Sequence, residues 1–462
     1  MNHINRKEHD FLGEMEIPNS CYYGIQTQRA VDNFKISQSR LCSVPELIVA
    51  LAYVKKAAAM ANAELNQFSE SIASAIIEAC DEIIEGKLLD QFVVDLMQGG
   101  AGTSTNMNAN EVIANRALEI LGHNKGDYHI IHPNNHVNCS QSTNDVYPTA
   151  LRIAIYLKLE QLKTPLKKLQ SSFKAKGKEF YDVIKMGRTQ LQDAVPMTLG
   201  QEFSAYATTI GEDIKMVTQA KNLLREINLG ATAIGTGINA PKGYGPLVTR
   251  RFQEITGIPV VTSPNLIEAT WDTGAYVHIS SVLKRIVLKL SKISSDLRLL
   301  SSGPRTGFNE INLPRMQPGS SIMPGKVNPV IPEVVNQVAY KVIGNDLTIT
   351  MAAENGQLEL NVMEPVIAYS LFESMNMTIA ACSVLKSKCI DGITANREHC
   401  RSLVENSIGL VTALSPFLGY ENASSIAKEA LETNKSVYEL TIEKKLLSIE
   451  QLNEILSVEN MV

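Results

Sequence analysis

Apolar residues recur every three or four positions along the chain from about Leu151 to Ala381. One stripe runs through Ile155, Leu159, Leu162, Leu166, Leu169 and Phe173, and another through Leu283, Ile286, Leu290, Ile293, Leu297 and Leu300. Such spacing lays a single apolar face along a helix, and here it predicts helices longer than the ~11-residue average of globular proteins. Long helices with one apolar face bury it against other helices, so a mainly α fold built on a bundle is expected, either within one chain or between subunits. Pro165 falls inside the first stripe. Without an N–H it is expected to kink the helix or end a turn there. Alternating strand patterns are few, with Tyr128–His132 and Ile258–Val261 as the short candidates.

The flanks read differently. Helical stretches near Val44–Leu65 and Ser71–Glu85 are interspersed with turn-rich polar segments, and the chain beyond Asp391-Gly392 breaks into short helical pieces. Ser448 with Gln451 three residues on is a candidate capping box. These shifts divide the 462 residues into an N-terminal, mostly helical domain 1–144, a central helix-bundle domain 145–397 and a small C-terminal helical domain 398–462, in keeping with ~150 residues per domain.

Composition narrows the class of partner. Charged residues make up 20% of the chain and the net charge is -5. No basic excess points to nucleic acid, and no lysine-rich face points to a membrane surface. Met1 to Asp10 is polar and lacks the apolar centre of a signal peptide. The apolar run Leu47–Val54 is far short of the ~20 residues a membrane span requires. A cytoplasmic location is therefore expected. Seven cysteines with no C-x-x-C pair read as reduced thiols packed as small core residues.

The candidate chemistry lies in four polar clusters. They are Gly102–Glu111, His132–His136 with Ser140–Asp145, Gly187–Asp193 and Gly319–Pro329. Singly, each has a plain structural reading. Ser, Thr and Asn cap helices and form turns, Asn144-Asp145 suits the N-cap of the long helix that follows, and His132 and His136 suit a structural loop. Together they offer many hydroxyls and amides with little charge. A dicarboxylate held in a dry pocket needs such donors, because an unpaired buried charge is costly. A single lysine, Lys326, then marks one end of the substrate. The absence of G-x-S-x-G, H-E-x-x-H, Walker and G-x-G-x-x-G patterns leaves hydrolase, metal, phosphoryl-transfer and dinucleotide readings without support.

Gly319-Ser320-Ser321-Ile322-Met323-Pro324-Gly325-Lys326-Val327-Asn328-Pro329 resembles the signature loop of the aspartase/fumarase superfamily, whose members eliminate across a Cα–Cβ bond and release fumarate. Gly102–Asn110, Ser140–Asp145, Gly187–Leu199, and the stretch from Asp10 through Tyr23-Gly24-Ile25-Gln26-Thr27 fall in the family's order and spacing. The resemblance thus covers nearly the whole chain. Within the superfamily the chain resembles the branch that deaminates L-aspartate more than the class II fumarases. Gln190 stands where fumarases typically carry histidine. Asn265–Thr270, Pro329–Gln337 and Asn361–Ile367 also read like the aspartate branch.

The resemblance implies a three-domain fold whose central helices form a twenty-helix core in a homotetramer, with each active site drawn from three subunits and monomers inactive. It implies that Ser320 is the general base, removing the Cβ proton of L-aspartate to give an enediolate (aci-carboxylate). Thr103, Ser142, Thr143 and Ser321 would surround the β-carboxylate, and Thr189, Lys326 and Asn328 the α-carboxylate. Asn144 would contact the amino group, with Gln190 beside it. No metal or other cofactor is implied for the chemistry, and the sequence is silent on activation by a divalent cation. How Ser320 becomes basic is left open. Alternatives are a fumarate hydratase using the same pockets on L-malate, a lyase of argininosuccinate or adenylosuccinate type, and a non-catalytic homologue. His132, Asn134 and Asn135 correspond to a second anion site of fumarases. Asn135 stands where those carry Asp, which favours a structural loop.

Overall fold

The computed structural model describes residues 5–457 and 460. Residues 1–4 of the predicted first domain, and 458, 459, 461 and 462 of the third, lie outside the described residues. The chain opens with an antiparallel hairpin, β1 (Asn5–Asp10) and β2 (Gly13–Pro18), and then α1 (Ile25–Asn33), α2 (Pro45–Glu64), α3 (Glu70–Ile84) and α4 (Thr103–Ile120). Helix α5 spans Thr143–Glu179 and leads to a second hairpin, β3 (Ile184–Thr189) and β4 (Gln192–Thr198), and to α6 (Leu199–Ala220). A two-residue parallel pair, β5 (Glu226–Ile227) and β6 (Val261–Thr262), brackets α7 (Tyr244–Thr256). After α8 (Glu268–Trp271) come α9 (Gly274–Leu300), β7 (Ile311–Asn312), α10 (Val330–Glu354), α11 (Glu364–Lys388) and β8 (Thr394–Ala395), which pairs with β7. Five short helices close the chain: α12 (Arg397–Asn406), α13 (Leu410–Leu418), α14 (Tyr420–Thr433), α15 (Val437–Glu443) and α16 (Ile449–Ile455).

The 3.6-residue periodicity is realised as five helices of 22 to 37 residues, α5, α6, α9, α10 and α11. All twelve residues of the two predicted stripes are buried. No turn ends at Pro165, and one of the two strand candidates fails. The helix runs through Pro165 without ending, because Leu162, Leu166 and Leu169 around it are fully buried, and their burial offsets the ~3 kcal/mol penalty of an internal proline. Tyr128–His132 is a turn rather than a strand. Tyr128 N–H donates to the Gly126 carbonyl and Ile130 N–H to that of Asp127, while the Tyr128 hydroxyl reaches Glu8.

The chain resolves into two compact units. The first comprises 1–162, 216–284 and 341–376. In it α9 meets α10 through Ser280 and Lys284 on Asp346, and α10 meets α11 through Asn345 on Ser374 and Glu373. The second comprises 163–215, 285–340 and 377–462. There Phe173 of α5 packs against Phe203 and Tyr206 of α6, and Asn336 of α10 donates to Ser291 and Ser295 of α9. The short C-terminal helices share a core of Leu410, Leu414, Val437, Leu440 and Leu452 that takes in Met186 from β3. The capping box of Ser448 and Gln451 is present, and a second one joins Ser436 and Glu439.

Candidate active site

In the first unit, two helix N-termini bring together the residues read from the first and second clusters. Thr103 opens α4 and Thr143 opens α5, and Asn106 Nδ2 donates to Thr143 Oγ1 at 3.1 Å. The Tyr147 ring fills the space beside Gly102, where a Cβ would stand 2.3 Å from it. Gly102 also has φ +90, so the turn into α4 requires glycine. Ser142 accepts from Asn144 N–H at 3.2 Å, and Asn144 Nδ2 is tied to the Ala233 carbonyl at 2.7 Å. Helix N-termini favour anions because their first N–H groups lack intrahelical partners.

Beneath these residues lies a buried polar network whose role is not legible in the sequence. The Asn138 side-chain carbonyl accepts from Lys55 Nζ at 2.9 Å, Asn106 at 3.1 Å and Asn110 at 3.2 Å. Lys55 also donates to Gln141 at 2.9 Å. Asp145 accepts from the N–H groups of Ser142, Gly230 and Thr232, which pins the start of α5 to the 230–232 turn. The available signal was polar residues at i and i+4, Asn106 and Asn110, within an otherwise buried helix, and a lysine in the apolar run of α2.

Burial pushes the Lys55 ammonium down to about 7 and the Asp145 carboxyl up to about 6. For Lys55 the unfolded chain holds its proton up to about pH 10, whereas the native state releases it near 7. Its contribution to stability therefore falls as pH is lowered from about 10 to 7 and levels off below. In the Lys55→Met variant this slope is expected to vanish. The difference in denaturation midpoint between wild type and variant should shift in favour of wild type between pH 7 and 9. A pH-independent difference would mean that the buried amine does not titrate there.

The histidine loop is a single π-helical turn, Pro133–Val137. His132 Nδ1 accepts from Asn134 N–H at 3.0 Å, and His136 Nδ1 accepts from His132 N–H at 2.8 Å. Burial lowers the pKa of both rings, which suits neutral imidazoles acting as caps, as the structural-loop reading expects.

In the second unit, the Gly319–Pro329 loop is drawn closed. Gly319 N–H donates to the Lys326 carbonyl at 2.7 Å, and Asn328 Nδ2 donates to the Gly319 carbonyl at 2.9 Å. A Cβ at Gly319 would stand 2.8 Å from Asn328 N and Lys326 O, so the backbones cross where no side chain fits. Ser320 Oγ accepts from Ile322 N–H at 3.2 Å and Met323 N–H at 3.1 Å. Two donors aimed at one hydroxyl oxygen favour its charged form. Ser320 is half-buried, whereas Ser321 and Lys326 are exposed.

Thr189 and Gln190 sit at the tip of the β3–β4 hairpin, in the same unit. Thr189 pairs with Gln192, which leaves Gln190 and Leu191 as a two-residue turn with φ +52 and +63. A two-residue turn with both central φ positive normally calls for Asn or Gly, so this tip is strained. Neighbouring Arg188 is committed to structure. Its Nη1 donates to the fully buried Glu310 at 2.6 Å, and Lys185 pairs with the other oxygen at 2.9 Å. Thus Thr103 and 142–144 belong to the first unit, and Thr189, Gln190, Ser320, Ser321, Lys326 and Asn328 to the second.

Residues 13–344 match the family described as Lyase, and residues 410–462 the one described as Fumarase C C-terminus. The chain is 61% identical to an aspartate ammonia-lyase of Helicobacter pylori, over 99% of this chain and 98% of that one. A solved fumarate lyase:delta crystallin from Brucella melitensis bound to cobalt superposes with a TM-score of 0.95, at 57% identity and 99% coverage of both chains. A class II fumarase from Schistosoma mansoni superposes with a TM-score of 0.90 at only 34% identity, again with 99% of both chains covered. With its bundle of long helices, its closed serine loop and likeness along its whole length, the chain belongs to the lyases of the aspartase/fumarase superfamily, and within them to the aspartate ammonia-lyase family.

Proposed function

We infer that this chain is a carbon–nitrogen lyase that reversibly deaminates L-aspartate to fumarate and ammonia. The observation that carries the substrate is the 61% identity to an aspartate ammonia-lyase against 34% to a class II fumarase, over comparable lengths. Thr189, Lys326 and Asn328 hold the α-carboxylate, and Asn144 faces the ammonium, with Gln190 beside it. Ser320 Oγ takes the proton from Cβ, and the electron pair moves into the β-carboxylate to give the enediolate. Donors already in place where charge develops are the largest catalytic contribution in many enzymes. Thr103, Ser142, Thr143 and Ser321 supply them, the first three at two helix N-termini.

The enediolate then collapses. Its electrons form the Cα–Cβ double bond, the Cα–N bond breaks, and the ammonium substituent leaves as neutral ammonia with that bonding pair. No proton need be added to the leaving group, which suits Gln190, a residue that cannot titrate. The two N–H groups that donate to Ser320 Oγ favour an anionic oxygen there and so support its reading as the base. The scheme draws on side chains and backbone donors alone.

Assembly of copies follows from the same reading. Tyr340, Leu347 and Met351 on one face of α10 are 65%, 62% and 64% exposed in the single chain. An apolar stripe of that kind on a long helix supports burial against another copy. We place the working enzyme as a homotetramer with sites shared by three subunits, acting on a small-molecule substrate in the cytoplasm.

One ultraviolet assay of fumarate formation tests substrate and assembly together. Activity is expected with L-aspartate and not with L-malate, and specific activity should fall on dilution as tetramers dissociate. Turnover of malate alone would transfer the chain to the hydratases, and full activity in a monomeric fraction would overturn the shared site.

A further inference from the structure

The hairpin that carries Thr189 and Gln190 is gripped from two sides within the second unit. On one side Arg188 and Lys185 end on buried Glu310. On the other, β4 lies against the junction of α12 and α13. Ser407 Oγ donates to Asp193 Oδ2 at 2.6 Å and accepts from Gly409 N–H at 3.1 Å. Ser407 is only 5% exposed. A Cβ on Gly409 would stand 2.6 Å from the Ala194 carbonyl, so the two backbones touch. Asp193 pairs across the hairpin with Arg188, one step below the strained turn. A turn with two non-glycine residues at positive φ persists only where its surroundings impose it.

We propose that Ser407, acting through Asp193, is a positioning residue for the α-carboxylate end of the substrate site. It holds the tip of the hairpin so that Thr189 and Gln190 are presented at a fixed height and angle. The base of the hairpin is already fastened by Met186, which shares a core with Val404, Leu410 and Leu414. The Ser407 bond adds restraint only near the tip, so its loss should spare folding. Hydrogen bonds to a carboxylate are short and about twice as strong as neutral ones, which suits a contact that sets geometry. The inference rests on the assignment of Thr189 and Gln190 to that end of the substrate.

The test is steady-state kinetics with L-aspartate on the full-length enzyme, with thermal midpoints recorded alongside. Ser407→Ala is expected to raise KM about 5- to 20-fold, less than the roughly 10- to 100-fold of a charge-assisted hydrogen bond lost directly from substrate, because this bond acts through the hairpin, with kcat within about twofold of wild type. Asp193→Ala, which removes the acceptor at an exposed position, should raise KM in the same direction. The double variant should be no worse than Ser407→Ala, because both remove one contact. A Ser407→Ala enzyme with normal KM, or one that loses kcat and thermal stability in proportion, overturns the proposal; should Ser407→Ala fail to fold, a normal KM in Asp193→Ala does the same. Thr189→Ala separates the two layers. A raised KM there with a normal KM in Ser407→Ala rejects the positioning role alone, whereas a normal KM in Thr189→Ala rejects the site assignment beneath it.

Discussion

Replacing Ser320 with alanine should lower kcat for L-aspartate by about 100- to 10,000-fold, the usual contribution of a positioned general base, with KM nearly unchanged. The loss has a structural basis. Ser320 Oγ is the acceptor for two backbone N–H groups, from Ile322 and Met323, and alanine offers no atom to carry a proton or a negative charge there. Folding should be spared. The loop is closed by Gly319, Lys326 and Asn328 rather than by the serine, and Ile322 and Met323 are exposed, so water can satisfy the freed donors. Turnover measured by fumarate absorbance, with circular dichroism and a thermal midpoint as controls, checks this. A Ser320→Ala enzyme that retains wild-type turnover would move the base to another residue.

The second large effect is expected at Lys326. It is the cation of the loop, it is exposed, and no carboxylate among the described residues forms a salt bridge with it. A hydrogen bond between charged partners contributes about 1.5 to 3 kcal/mol, so Lys326→Ala should raise KM for L-aspartate about 10- to 100-fold. The α-carboxylate keeps its charge from ground state to transition state, so the contact is uniform and its loss should appear mainly in KM. The opposite pattern, a normal KM with a collapsed kcat, would place Lys326 at the developing enediolate instead. Arg188 is the contrasting cation. Its guanidinium is bound to buried Glu310 and stacked over Phe308 at 4.4 Å, so it positions the hairpin rather than meeting a ligand.

These two residues share a loop whose composition and shape reinforce each other. Gly319 is required where the backbone crosses Lys326 and Asn328, and Gly325 has φ +83. Pro324 and Pro329 limit the conformations open to the chain on either side of Lys326. These features together restrict the conformations open to the loop.

The sequence by itself determined the class of fold, because a stripe of apolar residues at 3.6-residue spacing admits one regular solution, a helix with one buried face. It also marked the four polar clusters, since hydroxyls, amides, Gly and Pro gather where chains turn and bind. The tertiary structure alone decided how those groups are held. Pro165 stays inside α5 because buried leucines outweigh its local penalty. Gln190 and Leu191 form a strained two-residue turn that no local preference would select. Lys55, Asn106 and Asn110, all buried and spread over more than fifty residues, converge on the side-chain carbonyl of Asn138. Ser320 owes its environment to N–H groups two and three residues on, whose direction is set by backbone angles rather than by side-chain identity. Periodicity is a property of neighbours along the chain, and so it can be read in one dimension. The aim of a donor, the strain of a turn and the burial of a charge depend on what packs from elsewhere, and only the folded chain fixes them.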